Sequence, residues 1–161
     1  MNQNRSTPIV VIGAGITGLS VAHHLLTAGD REVVVVDSGD VGNGTTPAGA
    51  GFVSEWSTVI PHLGREALAL QKHSLDFYRG IHESGRDVHF RGNGNIVFFN
   101  REDTLAAGLA AIAAGPCVSE RNTVVSANDI AALTGGAVDA SAVAGGVLMP
   151  SGIQLETGLV I

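Results

Sequence analysis

The sequence predicts an α/β fold that opens with a parallel strand–helix–strand unit, and three observations carry that prediction. The run Pro8-Ile-Val-Val-Ile12 is short, β-branched and apolar throughout, as in a strand buried on both faces of a parallel sheet. A glycine-punctuated turn, Gly13 to Gly18, leads into Ile16–Ala28, where Leu19, Ala22, Leu25 and Leu26 recur at helical spacing and Gly29 stops the helix. Val33-Val-Val-Val36 then supplies a second buried strand, so the crossover between the two strands is right-handed and parallel.

The elements beyond this unit follow from the same signals. Residues 38–53 are rich in Gly, Ser and Thr and lack any period, which makes them a loop. Helical spacing returns through Leu68, Leu75, Tyr78 and Ile81, giving a helix over 68–84 with Gly85 behind it. Val88–Arg91 and Asn95–Phe99 read as two strands of a hairpin around Gly92-Asn-Gly94. An alanine-rich helix spans Thr104–Ala114, Ser126 caps a short helix through Leu133, and Val143–Met149 reads as a strand. A further helix is expected from Glu156. Six helical residues have little stability alone, so the fold is expected to be incomplete within this chain.

Composition narrows the function classes. The 161 residues hold 9 basic and 15 acidic side chains, a formal net charge of −6, and Lys and Arg do not cluster. Nucleic acid and membrane are therefore not expected as partners. No stretch reaches the roughly 20 uninterrupted apolar residues of a membrane span. The apolar segment 8–28 is broken by His23, His24 and glycines, so it reads as mature structure and not as a targeting signal. Cys117 is the single cysteine, which suits a reducing, cytoplasmic interior. Glycine, at 22 residues, is about twice its usual share and gathers between the apolar runs.

Gly13-Ala-Gly15-Ile16-Thr17-Gly18 is a G-x-G-x-x-G element. Its first glycine permits the tight turn out of the strand, its second lets the backbone approach a pyrophosphate, and its third lets helix and strand pack closely. The helix N-terminus adds unpaired N–H groups and partial positive charge for the phosphates. By itself the pattern is weak. Here it follows a strand, opens a helix, and is followed 19 residues after Gly18 by Asp37, an acid placed to accept hydrogen bonds from ribose hydroxyls. Together these features make residues 8–37 a Rossmann-like cradle for the ADP part of a dinucleotide, FAD or NAD.

The stretch Asp37-Ser-Gly-Asp-Val-Gly-Asn-Gly-Thr-Thr-Pro-Ala-Gly-Ala-Gly-Phe-Val53 separates the two. It resembles the flavin-passing segment of the D-amino acid oxidase-like flavoproteins, among them glycine oxidase and sarcosine oxidase. That resemblance implies FAD, held by Asp37 and Ser38 at the end of the second strand. It implies that Thr45 and Thr46 lie near the pyrophosphate and that Ala50, Gly51 and Phe52 lie beside the isoalloxazine. The family usually carries Glu where this chain has Asp37. Apart from any resemblance, threonine hydroxyls can donate to phosphate oxygens, and glycine lets a planar ring pack on backbone.

More weakly, Gly92–Phe99 with Arg101-Glu102 resembles the family's substrate-domain strand and following helix, and Leu148–Thr157 resembles its return toward the FAD domain. The implied architecture is a Rossmann-like FAD-binding βαβ with the beginning of a mixed-sheet substrate domain. Residues 1–60 would form the N-terminal part of the FAD domain, 61–142 the first part of the substrate domain, and 143–161 the return. Members of the family are about twice as long, so a second polypeptide, separate or released by proteolysis, is expected to supply the C-terminal half of the fold and the residues that grip a substrate carboxylate, the alternative being a truncated chain.

Several residues weigh little. His82-Glu83 has Arg86 where a zinc helix would carry its second histidine, so no metal is expected. The 38–53 loop holds neither His nor Cys, so FAD is expected to be noncovalent. His62 follows the loop closely enough to approach the flavin, although a surface histidine is the plainer reading, and Trp56 is as well explained by core packing. No side chain stands out as a catalytic acid or base. The expected function is the FAD-binding N-terminal chain of an amine or amino-acid oxidoreductase, in which a hydride moves from the amine-bearing carbon to flavin N5. The alternative is a non-catalytic subunit that uses FAD or NAD for structure or sensing.

Overall fold

A computed structural model describes residues 7–29, 32–55, 64–114 and 122–161. Trp56, His62 and Cys117 lie outside the described residues. The chain divides into two compact units: Met1–Gly51 with Glu156–Ile161, and Phe52–Leu155.

In the first unit, β1 (Ile9–Ile12), α1 (Ile16–Ala28) and β2 (Val33–Val36) form the expected crossover, with β1 and β2 parallel and Ile9 opposite Val33 through Ile12 opposite Val36. The strands alternate sharply in exposure. Ile9, Val11, Val33 and Val35 are half-buried, whereas Val10, Ile12, Val34 and Val36 are exposed and share the opposite face. One side of the two-stranded sheet is therefore apolar and uncovered. A 3-10 turn at Thr46–Ala48 packs on another at Thr157–Leu159, where a longer helix was expected from Glu156. Glu156 caps that turn by accepting from the Gly158 N–H, and the turn ends at Val160.

The second unit is built on a three-stranded antiparallel sheet of β4 (Asn95–Phe99), β5 (Thr123–Ser126) and β6 (Gly145–Met149), with β6 in the centre. A separate two-stranded pair joins β3 (Phe52–Val53) to β7 (Ile153–Gln154). The helices are α2 (Gly64–Glu83), α3 (Glu102–Ala114) and α4 (Ala127–Leu133). Ser126 caps α4 as expected, and the cap is reciprocal: its hydroxyl accepts from the Asp129 N–H while the Asp129 carboxylate accepts from the Ser126 N–H. Ile130 thereby enters a core with Val125 and Val143, ringed by Ile96, Val138 and Leu148.

The hairpin expected at Val88–Phe99 does not form. β4 pairs with β6, and Arg91 alone of the preceding run makes a bridge, to Gln154. Gly94 explains the difference. Its φ is +74°, and its N–H donates to the Gly152 carbonyl at 3.0 Å, so the chain turns toward the β6–β7 connection and not back on itself. A side chain at Gly94 would press on the Met149 carbonyl oxygen at 2.8 Å, which makes the close approach specific to glycine. Among the described residues, no helix is long and apolar enough to cross a membrane.

Candidate functional site

The glycine turn lies between β1 and α1 and is tied down from three directions. Gly13 takes φ +106° and donates its N–H to the Val36 carbonyl at 2.7 Å, which fixes the turn to the end of β2. The Ala14 N–H donates to Asp37 Oδ2 at 2.6 Å, and the Ala14 carbonyl accepts from the Gly42 N–H at 2.8 Å. The Ile16 N–H donates to Thr46 Oγ1 at 3.0 Å, across 30 residues of sequence.

Each glycine of the motif has its own reason. At Gly18 a Cβ would fall on the Gly13 carbonyl oxygen, so the third glycine is demanded by helix–strand contact. At Gly15 the nearest neighbour of a Cβ is Thr46 Oγ1 at 3.3 Å, which leaves the turn bare of side chains. Gly15 offers no side-chain cap to α1, and no acid occupies its first turn. An N-terminus of this kind favours an anion, and phosphate meets the requirement. Thr17 is exposed beside it. These are the features a pyrophosphate needs, so the residues present fit FAD.

Asp37 does more than sequence spacing suggests. Besides Ala14, it accepts from the Gly39 N–H through Oδ1 at 2.9 Å. The Ala14 N–H, then Gly39, hold its carboxyl below the ordinary aspartate value of 3.8, with Ser38 adding through both backbone and hydroxyl. The carboxylate is thus a clamp on the turn as well as a candidate ribose acceptor, since each oxygen retains a second lone pair. A lowered folded pKa gives stability that is complete above the unfolded value and is lost as pH falls through the folded one. The resistance of the wild type to urea is therefore expected to fall, relative to Asp37→Asn, as pH drops from about 5 to about 3. Parallel curves for the two proteins would remove the clamp from the account.

Thr46 also has a role the sequence did not reveal. Its oxygen accepts from α1, which leaves the hydroxyl hydrogen free to donate elsewhere, whereas Thr45 is exposed with no such anchor. Gly51 takes φ +66° and is buried, while Ala50 and Phe52 on either side are exposed. Ser38 is exposed next to Asp37. A recess of about 440 Å³ lies along the loop, lined by Asp40, Val41, Gly42, Asn43, Pro47, Gly158 and Ile161, none of which the sequence had singled out. Among the described residues, no group of three or more His, Cys, Asp or Glu is placed to hold a metal ion. His82 instead stacks on Phe90, with ring centres 4.4 Å apart and planes 5° from parallel.

Known proteins share this family and fold. Residues 8–161 match the family model described as DAO, FAD dependent oxidoreductase. The chain is 36% identical over 90 residues to 4-methylaminobutanoate oxidase (formaldehyde-forming) of Paenarthrobacter nicotinovorans, covering 54% of this chain and 10% of that protein. It is 33% identical over 88 residues to the mitochondrial dimethylglycine dehydrogenase of Rattus norvegicus, with the same coverage of 54% and 10%. The crystal structure of glycine oxidase from Geobacillus kaustophilus superposes with a TM-score of 0.73 at 20% identity, covering 94% of this chain and 41% of that one. The chain thus spans about a tenth of the length of these two curated relatives.

Proposed function

This chain belongs to the DAO family of FAD-dependent oxidoreductases, and from that premise we propose that it is the FAD-cradling N-terminal part of an enzyme that oxidises a small N-alkylated amino acid. The observation that carries the reading is the glycine turn, held open by Asp37 and Thr46 at an uncapped helix N-terminus. Two relatives are named for substrates that combine an N-methyl amine with a carboxylate, 4-methylaminobutanoate and dimethylglycine, and this favours the same pair of groups here.

When bound, FAD supplies the redox chemistry: a hydride leaves the amine-bearing carbon for flavin N5, an imine remains for water to hydrolyse, and the electrons pass on to oxygen or another acceptor. The chain's own residues bind and orient. The Gly13–Gly18 turn and the start of α1 receive the pyrophosphate, with Ile16 and Thr17 at the first turn of the helix. Thr46, anchored through its oxygen, donates its hydroxyl to a phosphate, and Thr45 supplies a second hydroxyl. Asp37 accepts from the ribose, with Ser38 beside it. Ala50, Gly51 and Phe52 line the flavin ring, noncovalently.

Polypeptide beyond these residues completes the active site in this proposal, in the cytoplasm. The uncovered face of Val10, Ile12, Val34 and Val36 supports it, since apolar sheet left in water invites association. The test is spectroscopic. Purified protein is expected to show flavin absorbance that bleaches anaerobically with dimethylglycine or 4-methylaminobutanoate. Bound flavin indifferent to every amine would favour a non-catalytic subunit, and protein that binds NAD but no flavin would overturn the cofactor. Native mass spectrometry that finds only a lone, FAD-loaded 16.4 kDa chain would refute the completing polypeptide.

A further inference from the structure

The segment Glu156–Ile161 is distant from the cofactor loop in sequence, yet it groups with Met1–Gly51 in the first unit and meets the loop at two points. At the first, the Ile161 side chain lies against Gly42: a Cβ at Gly42 would stand 2.5 Å from Ile161 Cδ1 and 3.0 Å from its Cγ2. At the second, the methyl of Thr157 lies by Gly49, where a Cβ would stand 3.6 Å from Thr157 Cγ2, an ordinary packing distance. The 3-10 turns that carry Thr46 and Thr157 pack on each other. Every residue lining the recess of about 440 Å³ belongs either to the loop or to this segment.

Both points back a hydrogen bond of the glycine turn. Gly42 donates its N–H to the Ala14 carbonyl at 2.8 Å, and the Ala14 N–H in turn donates to Asp37. Gly42 takes φ +71° and is buried, so glycine is what lets Ile161 close on the backbone there. Gly49 donates to the Thr46 carbonyl at 3.1 Å, and Thr46 Oγ1 accepts from the Ile16 N–H at 3.0 Å. Ile161 and Thr157 thus stand behind the two places where the loop is bonded to the turn.

We propose that Ile161 and Thr157 are positioning residues that brace the cofactor loop, holding Gly42 and Thr46 where they clamp the pyrophosphate turn. This rests on the reading of that turn as the FAD cradle. The loop is irregular backbone with exposed side chains at Val41 and Thr45, and such a segment has many open conformations. Ligand affinity falls in proportion to the fraction of molecules in which the binding conformation is formed. Apolar contact from a second segment raises that fraction without touching the ligand. Thr157 contributes through its methyl and not its hydroxyl. Its Oγ1 is buried and has no hydrogen-bond partner among the described residues. A hydroxyl so placed costs stability, and an apolar atom in its stead keeps the brace.

ADP carries the pyrophosphate without the flavin, and with FAD it probes the brace in the full protein with its partners. Calorimetry follows ADP after the cofactor has been removed, and the fluorescence of flavin released on dilution follows FAD. Ile161→Ala is expected to weaken both ligands by about 10-fold, and Ile161→Val, which loses only Cδ1, to fall between it and the wild type. Thr157→Ser, which loses the methyl, should weaken both by about threefold. Thr157→Val should bind them as tightly as the wild type or more tightly. Side chains that served stability alone would lower the melting temperature of the empty protein and leave both affinities unmoved. Unchanged ADP affinity in Ile161→Ala overturns the proposal, and so does a loss in Thr157→Val equal to that in Thr157→Ser. The threonine pair carries the test if Ile161→Ala does not fold. Protein that binds ADP in this pattern but takes up no flavin would sink the reading of the cofactor as FAD and leave the brace standing.

Discussion

Alanine at Gly18 is expected to cost the protein its FAD. The added Cβ would fall on the Gly13 carbonyl oxygen and stand 3.0 Å from the Gly13 carbonyl carbon and 3.4 Å from Val11 Cγ1. None of the backbone can swing aside as a flexible side chain does. Relief requires α1 to move off β1 or the turn to open, and either motion breaks the links from Ala14 to Asp37 and from Ile16 to Thr46. Overpacking a close contact costs about 1–3 kcal/mol, and a clash with backbone belongs at the upper end. Roughly 3 kcal/mol taken from the cradle alone weakens binding on the order of 100-fold. Gly18→Ala should therefore purify without flavin colour and melt earlier than the wild type. Gly44→Ala is the control, because a Cβ there meets nothing within 4 Å. A yellow Gly18→Ala protein with wild-type FAD affinity would overturn this account of the motif.

Truncating Ile130 should produce a large loss of stability in the second unit without touching the cradle residues. Ile130 is 0% exposed and sits on α4 against Val125 and Val143. It reaches the central strand where Gly146 has no side chain: a Cβ at Gly146 would meet Ile130 Cδ1 at 3.2 Å. Ile130→Ala therefore leaves a void between helix and sheet that neighbouring side chains fill only in part. Such a change costs about 2–5 kcal/mol. At roughly 2–4 °C per kcal/mol for a chain of this size, the melting temperature should fall by about 4–20 °C. Leu133, on the same helix but 56% exposed, gives the contrast, since Leu133→Ala should shift stability by less than about 0.5 kcal/mol. Equal losses at the two positions would mean that the core is not where the structure places it.

The parts of this fold that were legible in the sequence are those governed by local rules. The β-branched runs at Ile9–Ile12 and Val33–Val36, the helical period of Ile16–Ala28 and the Ser126 cap each announce themselves within a few residues. What was not legible depends on distant pairing. β3 and β7 are two residues each, too short for any period, and they meet across about 100 residues of chain. A separation of about 60 residues likewise conceals the partner of Arg91, so the sequence pairs Val88–Arg91 with its nearest apolar neighbour as half of a hairpin. Within the site, the spacing of Gly18 and Asp37 showed that an acid belongs there. It did not show that the acid grips the Ala14 N–H, because a backbone donor leaves no mark on residue type. Thr46 was chosen for its hydroxyl hydrogen, and the role of its oxygen in holding Ile16 emerged only from the geometry.

If the start of α1 receives the pyrophosphate as proposed, vitamin supply becomes a variable of protein abundance. Apart from the Ile16 N–H, from which Thr46 accepts, the first turn of α1 has no side-chain cap from Gly15 and no acid, so in the proposed cradle a bound phosphate would finish the helix. The phosphate belongs to a molecule that the cell must synthesise from riboflavin, and its free concentration enters directly into the folding equilibrium. FAD at 100 times its dissociation constant adds about 2.7 kcal/mol to the folded state, and that increment vanishes as the free pool drains. Flavin starvation would then thin out this protein through proteolysis of the empty form, with no change in the rate at which its gene is read.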